Sequence, residues 1–404
     1  MGIHNYEKNY LAALRGLKKA QISERNKELI LQMNDALVLE NLSKPRLMKY
    51  IEIMRSVAKK LDKDLDKATI DDLKKFVSKI QQSDLSPWTK QTYKVIIRRF
   101  YKWLKGTSEF PEIVNWINIR MSRSEKKLPS EGDLLTDKEV KLLIDTAEHP
   151  RDKAFVSILW ESGARVGEIG NLKLKNVIFD KYGIRISVQG KTGSRKMRLI
   201  SSTPYISTWL ANHPDKDNNN AFLWINYGKR NHNKIMNYSN IIKLLQKLFR
   251  KAGIKKRSNP HIFRHSRATF MANHLTEFQM NQYFGWIQGS DMPATYVHMS
   301  GREVDNAILM MNGIKTDESR SENKLIPQIC PRCDMINSHG SKHCNKCGGI
   351  LDLKYAMEME TQKSQEITKR RSFDLLMDAL LEDDIIKNRI KEKMEKSNVA
   401  GFSF

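Results

Sequence analysis

The spacing of apolar residues constrains what this 404-residue chain can fold into. Over most of its length they recur with a helical period. Between Asn176 and about Ser201 the period shortens. Val177-Ile-Phe, Ile184-Arg-Ile-Ser-Val188 and Lys196-Met-Arg-Leu-Ile200 are short runs of β-formers separated by turn residues. They predict a small antiparallel sheet, with a turn at Gly190-Lys-Thr-Gly-Ser194. The expected fold class is therefore mainly α with a small antiparallel β-sheet.

The helical stretches divide at polar, basic segments. Residues 1–119 read as a helical domain. Thr69 with Asp71 and Asp72 starts one helix, with a hydroxyl cap and carboxylates in its first turn. Ser86-Pro87 starts the next, with proline where its missing N–H costs nothing. There Tyr93, Ile96, Ile97, Phe100 and Leu104 make one apolar stripe, and Lys90, Lys94, Arg98, Arg99, Lys102 and Lys105 fill other positions. Residues 120–133 read as a linker. Thr136 and Glu139 have capping-box spacing, stapled by Leu135, and open a second domain over 134–312. Residues 313–328 read as a second linker and 329–350 as a cysteine module. Residues 351–404 form a tail in which Phe373, Leu376, Leu380, Ile386, Ile390 and Met394 suggest one or two amphipathic helices.

Lys plus Arg is 70 against 46 for Asp plus Glu, a formal charge of +24. That surplus calls for a polyanionic partner. A composition of 40% hydrophobic and 29% charged residues excludes a mostly disordered chain and a multi-span membrane protein. No run approaches the roughly 20 apolar residues that cross a bilayer. The N-terminus lacks the apolar core of a secretory signal, and Tyr6 stands where myristoylation after Gly2 wants Ser or Thr. A cytoplasmic protein with a polyanionic partner is expected.

The four cysteines all fall between Cys330 and Cys347. Cys330-Pro-Arg-Cys333 and Cys344-Asn-Lys-Cys347 are two CxxC pairs with ten residues between them. Each pair brings two sulfurs to one ion, and two pairs make a closed tetrahedral site. The expectation is one structural Zn²⁺ in a zinc ribbon, made basic by Arg332, Lys342 and Lys346.

Four segments of the second domain concentrate functional residue types. Ser162-Gly-Ala-Arg165-Val-Gly-Glu168 sets a cation beside glycines, with a carboxylate one turn on to orient it. Gly190-Lys191 lies at the hairpin. In His261-Ile-Phe-Arg264-His265, positions i and i+3 share a helix face. Phe284-Gly-Trp286 and Tyr296-Val-His298 complete the set. Each piece alone is weak, and the ordered set is specific.

This set resembles the tyrosine recombinase, or phage integrase, family over about residues 20–312. The resemblance implies a helical core-binding, SAM-like DNA clamp joined to a mainly α catalytic domain with a three-stranded sheet. It identifies Arg165 as the first catalytic arginine, Lys191 as the hairpin lysine, and His261 with Arg264 as the family's HxxR motif. It places Trp286 at the His/Trp position and makes Tyr296 the nucleophile. The implied activity is site-specific recombination or integration through a 3′-phosphotyrosine, without ATP and with no cofactor for catalysis.

The roles are chemically coherent. A phenol can attack phosphorus and store the bond energy for resealing. Two guanidiniums suit the extra charge on the equatorial oxygens. Lys191 is the candidate acid for the leaving 5′-oxygen, and His261 can accept the tyrosine proton or donate to phosphate. Trp286 offers an N–H and a packing surface but cannot shuttle a proton. The partners implied are double-stranded DNA and further copies of the chain in a tetrameric synapse, with Gly301–Met311 either exchanged between subunits or packed within one. A type IB topoisomerase shares this chemistry. A non-catalytic DNA-binding regulator is the other alternative, and Tyr283 and Tyr238 are the substitute nucleophiles.

Overall fold

The computed structural model describes residues 2–122, 125, 129–190, 193–227, 233–299, 308, 311–312, 325–382, 385–386, 389 and 392. The N-terminal half carries α1 (Tyr6–Lys18), α2 (Glu24–Leu39), α3 (Lys44–Leu61), α4 (Ile70–Gln82), α5 (Pro87–Leu104) and α6 (Glu112–Asn115) around one apolar core. Thr69 and Asp72 exchange side-chain and backbone bonds in a capping box at the start of α4. Ser86 caps α5 by accepting from the Thr89 N–H, and Pro87 is its first residue. The stripe of α5 lies inside: Tyr93, Ile96, Ile97 and Phe100 are buried, with Leu104 at the margin. Tyr101, off that stripe, is buried as well, because its hydroxyl donates to the Leu65 carbonyl at 2.9 Å. Some basic residues of α5 already have partners. Arg99 pairs with Glu40, Lys90 donates to the Gln81 carbonyl at 2.7 Å, and Arg98 lies 3.9 Å from the Phe110 ring.

A second core gathers α7 (Asp137–Thr146), α8 (Pro150–Ser162), α9 (Val166–Gly170), a three-stranded sheet, α10 (Thr203–Ala211), α11 (Tyr238–Lys251) and the first turns of α12 (Pro260–Ala272). Thr136 and Glu139 form the capping box of α7, with Leu135 buried beside it. Helix α8 is buried continuously from Ala154 to Ser162 and packs against α7, α10 and α12. The strands β1 (Val177–Asp180), β2 (Gly183–Gly190) and β3 (Gly193–Leu199) are antiparallel in that order. Ile184, Ile186 and Val188 turn to the core with Met197 and Leu199, which locks the register. The strands run further than the sequence suggests. Gly190 and Gly193 are the last pair and Ser194 opposes Gln189, so Gly193 and Ser194 belong to β3 rather than to a turn. Gly193 reaches this with φ +103°, open to glycine. Lys191 lies outside the described residues.

The chain's first residues join the two bodies. Ile3 is 2% exposed within the second core, against Gly170, where a Cβ would collide with it. Its N–H donates to Asn171 Oδ1 at 2.8 Å, and its carbonyl accepts from the Tyr238 N–H at 3.0 Å.

Helix α12, α13 (Glu277–Phe284) and α14 (Met292–Met299) enclose a third, small core of Ala268, Ala272, Met280, Phe284, Trp286 and Tyr296. Beyond it a two-stranded hairpin, β4 (Gln328–Ile329) and β5 (Ile336–Asn337), lies beside α10, where Tyr205 hydrogen-bonds Ser338. The tail forms α15 (Leu353–Glu382), on which Phe373 and Leu376 are exposed. Of Gly301–Met311 only Ile308 and Met311 are described, and Ile390 and Met394 fall outside. Among the described residues no helix is long and apolar enough to cross a membrane.

Candidate active site

Helix α8 ends at Gly163, in the left-handed region at φ +54°. A side chain there would meet Arg267 and Phe284 as well as strain. The reversal sets Arg165 just before α9, where its N–H donates to Glu168 Oε2 at 2.9 Å. Among the described residues, the Arg165 guanidinium contacts Glu168 Oε1 at 3.3 Å and the Gly285 carbonyl at 3.4 Å, both long.

Glu168 is held more firmly by Arg195 of β3. Two parallel bonds of 2.9 and 2.7 Å join them, and Arg195 Nε donates to the Tyr283 carbonyl at 2.7 Å. Glu168 is 4% exposed. Burial alone would raise its carboxyl. The hydrogen bonds and charge of Arg195, then those of Arg165, outweigh burial and hold the carboxyl below its ordinary value. The carboxylate also lies directly against Gly190, where any Cβ would collide with Oε1. One carboxylate thus ties α9 to β3 and to the base of the hairpin.

Helix α12 starts at Pro260, capped by Asn259, and carries His261, Arg264 and His265 on one side. Arg264 is 6% exposed and donates to the Gly163 carbonyl at 3.1 Å and the Phe284 carbonyl at 2.9 Å. Its guanidinium lies 5.1 and 5.4 Å from the Phe284 and Trp286 ring centres. Burial, then repulsion from Arg165, pulls it down to about 10, so it stays charged at neutral pH. Two guanidiniums that repel one another form a site that an anion stabilises. Burial, then Arg264 and Arg165, likewise lowers His261.

Helix α13 ends at Gly285 with φ +61°, which turns Trp286 back under the site. Trp286 stacks on Phe284 and, with planes 4° apart and centres at 5.4 Å, on Tyr296 of α14. Tyr296 is 1% exposed. Burial raises its phenol, with Arg264 offsetting part of that rise. Its hydroxyl lies 2.8 Å from His265 Nδ1.

The structure therefore brings Arg165, His261, Arg264, Trp286 and Tyr296 together. Gly190, the residue before Lys191, lies against Glu168 beside the same cluster. Tyr283 is held elsewhere by a 3.2 Å bond to the Glu161 carbonyl, and Tyr238 by the ring of His4. Sequence reasoning missed two residues. Arg195 belongs to no motif. His265 was legible only as the position four residues after His261.

Residues 133–302 match the family model described as the phage integrase family. This segment of the chain is similar to the phage integrase family, and the relatives it resembles are tyrosine recombinases. A tyrosine recombinase of Thermosipho africanus is 24% identical over 275 residues, covering 66% of this chain and 93% of that protein. Tyrosine recombinase XerA of Pyrococcus horikoshii is 28% identical over 216 residues, covering 53% and 70%. Among solved structures, XerH bound to palindromic difH substrate aligns with a TM-score of 0.54 at 16% identity, covering 76% of this chain and 95% of that one. The Tn1549 transposon integrase in complex with transposon right-end DNA gives 0.53 at 16%, covering 70% and 99%. These structural likenesses concern the fold.

Outside the matched segment, the chain places its four cysteines in one cluster. The sulfurs of Cys330, Cys333, Cys344 and Cys347 all lie within 4.8 Å of one another. Cys330 and Cys347, and Cys333 and Cys344, are 3.6 Å apart. Tetrahedral zinc with Zn–S near 2.3 Å sets sulfurs about 3.8 Å apart, whereas a disulfide needs about 2.05 Å. The Lys346 N–H and Asn337 Nδ2 point at Cys344 Sγ from 3.4 and 3.6 Å, as second-sphere donors to a thiolate do. His339 and His343 turn to the Ile326 carbonyl and the Tyr355 ring instead.

Arg195→Ala leaves Glu168 buried with little compensation. It is expected to destabilise the chain by about 3–5 kcal/mol in urea unfolding at neutral pH. Because Glu168 is held below its ordinary value, the pair's contribution is full above the usual carboxylate range and is lost as pH falls through the lowered value. A loss below about 1 kcal/mol, the scale of a surface pair, would show that Glu168 does not depend on Arg195.

Proposed function

We propose that this chain is a site-specific DNA recombinase or integrase that cleaves and rejoins double-stranded DNA through a 3′-phosphotyrosine at Tyr296. The observation that carries this reading is the convergence of that buried phenol with the Arg165 and Arg264 guanidiniums around Trp286. A scissile phosphate between the two arginines relieves their repulsion, and the pentavalent transition state gains most because its oxygens carry the most charge. Tyr296 Oη bonds to phosphorus as the P–O5′ bond breaks. Lys191 supplies the proton to O5′, and His261, next to both arginines, donates to a phosphate oxygen. The ester keeps the bond energy, so resealing by a new 5′-hydroxyl needs no ATP.

With Tyr296 at 1% exposure, α14 must shift to deliver the phenol to DNA. The +24 charge supports duplex binding, as do the DNA complexes of the XerH and Tn1549 structures. Four subunits in a synapse, with Gly301–Met311 exchanged between neighbours, complete the reading, together with a cytoplasmic, nucleoid-associated location. The cysteine cluster is read as a structural Zn²⁺ site: four thiolates fill the tetrahedron and leave no position for substrate.

Full-length protein incubated with a pool of nicked duplexes of randomised sequence is expected to form a denaturant-stable adduct on selected sequences. Tyr296→Phe is expected to abolish the adduct and keep DNA affinity; an adduct with Tyr296→Phe, or none with the unmodified chain, contradicts the assignment. Metal analysis of the purified chain is expected to give one zinc per molecule, lost in Cys344→Ser. A folded, metal-free chain with four titratable thiols would overturn the zinc reading.

A further inference from the structure

The histidine that contacts the Tyr296 hydroxyl is His265, the one that follows the HxxR motif on α12. The Tyr296 hydroxyl lies within hydrogen-bond distance of His265 Nδ1, at 2.8 Å, and the rings lie 5.9 Å apart. The charges acting on His261 are those of Arg264 and Arg165, the two guanidiniums of the proposed phosphate site. The two imidazole centres lie 6.3 Å apart on one helix face.

We propose that His265 accepts the phenolic proton of Tyr296 during cleavage and returns it during rejoining. This rests on the reading of Tyr296 as the DNA nucleophile. In cleavage the Oη–P bond forms, the P–O5′ bond breaks, and the proton of Oη moves to His265 Nδ1 while O5′ takes one from its own acid. In rejoining O5′ attacks phosphorus as its proton returns to that acid, the P–Oη bond breaks, and Nδ1–H reprotonates Oη. No proton or electron is gained or lost over the cycle.

The surroundings of His265 suit this task. It is half-buried and faces Tyr296 from α14, with His261 and Arg264 on its own helix and Arg257 just before it. Burial, then His261 and the two arginines, pulls its imidazole down to about 4, so at neutral pH the ring is uncharged and Nδ1 has a lone pair for the phenol. A neutral ring there adds no third cation to the two guanidiniums in the resting state. A DNA phosphate between the arginines offsets their charge and makes the imidazolium easier to form as the proton arrives.

The test uses full-length protein and the nicked duplex selected from the randomised pool. His265→Gln is expected to slow adduct formation by about 10²–10⁴-fold, the range for loss of a general base, with DNA affinity unchanged. Trifluorotyrosine at position 296 gives a more acidic phenol that needs less help. In the His265→Gln background it is expected to recover at least about tenfold of the loss, and in the His261→Gln background to recover none. His265→Asn, also scored for DNA affinity, controls for misfolding and is expected to behave like His265→Gln. Cleavage by His265→Gln within about threefold of the unmodified chain, or a defect that the fluorinated phenol does not relieve, overturns the proposal. Absence of adduct with the unmodified chain would instead count against the recombinase reading itself.

Discussion

A carboxylate almost out of contact with water, Glu168, organises the catalytic half of this molecule. A buried charge is costly unless other charges and donors surround it. Here Arg195 grips it through two bonds and the Arg165 N–H adds a third. Because Arg195 occupies both oxygens, the Arg165 guanidinium keeps only a 3.3 Å contact with Glu168 and stays available to an anion. Gly190 follows from the same pair, since the carboxylate lies where its side chain would be. Arg195 then reaches the Tyr283 carbonyl and so sets the end of α13, from which Gly285 turns Trp286 into place.

The second half of the site is aromatic. Phe284, Trp286 and Tyr296 stack in sequence beneath Arg264, which is itself pinned by two main-chain carbonyls. The guanidinium gains from the ring faces as well as from the carbonyls. This explains why tryptophan serves at position 286, where a histidine would add a titrating group. Its flat surface here lies against the ring of Tyr296.

Much of this was legible in the sequence because local chemistry determines it. Hydroxyl and proline starts at Thr69, Ser86 and Thr136 mark helices whose caps form as expected. Alternation in Ile184, Ile186 and Val188 set the sheet. The arginines, His261, Trp286 and Tyr296 were legible as an ordered set rather than singly. What was not legible depends on contacts that no local pattern encodes. Arg195 meets Glu168 across 27 residues and Tyr283 across 88. Ile3, in a segment that reads as part of the helical domain, fills a space left by Gly170 of the other body. The apolar residues of the tail suggested one or two amphipathic helices; Phe373 and Leu376 do lie on a helix, α15, and are exposed there.

The central claim is that the buried phenol of α14 is the group that bonds to DNA. Its most direct test is mass spectrometry of the adduct trapped on nicked DNA, digested with nuclease and trypsin. The peptide Ala268–Arg302 holds both Tyr283 and Tyr296, and fragment ions separate them. The account predicts a nucleotide joined through its 3′-phosphate to Tyr296. A nucleotide on Tyr283, or on a peptide outside this segment, would contradict it.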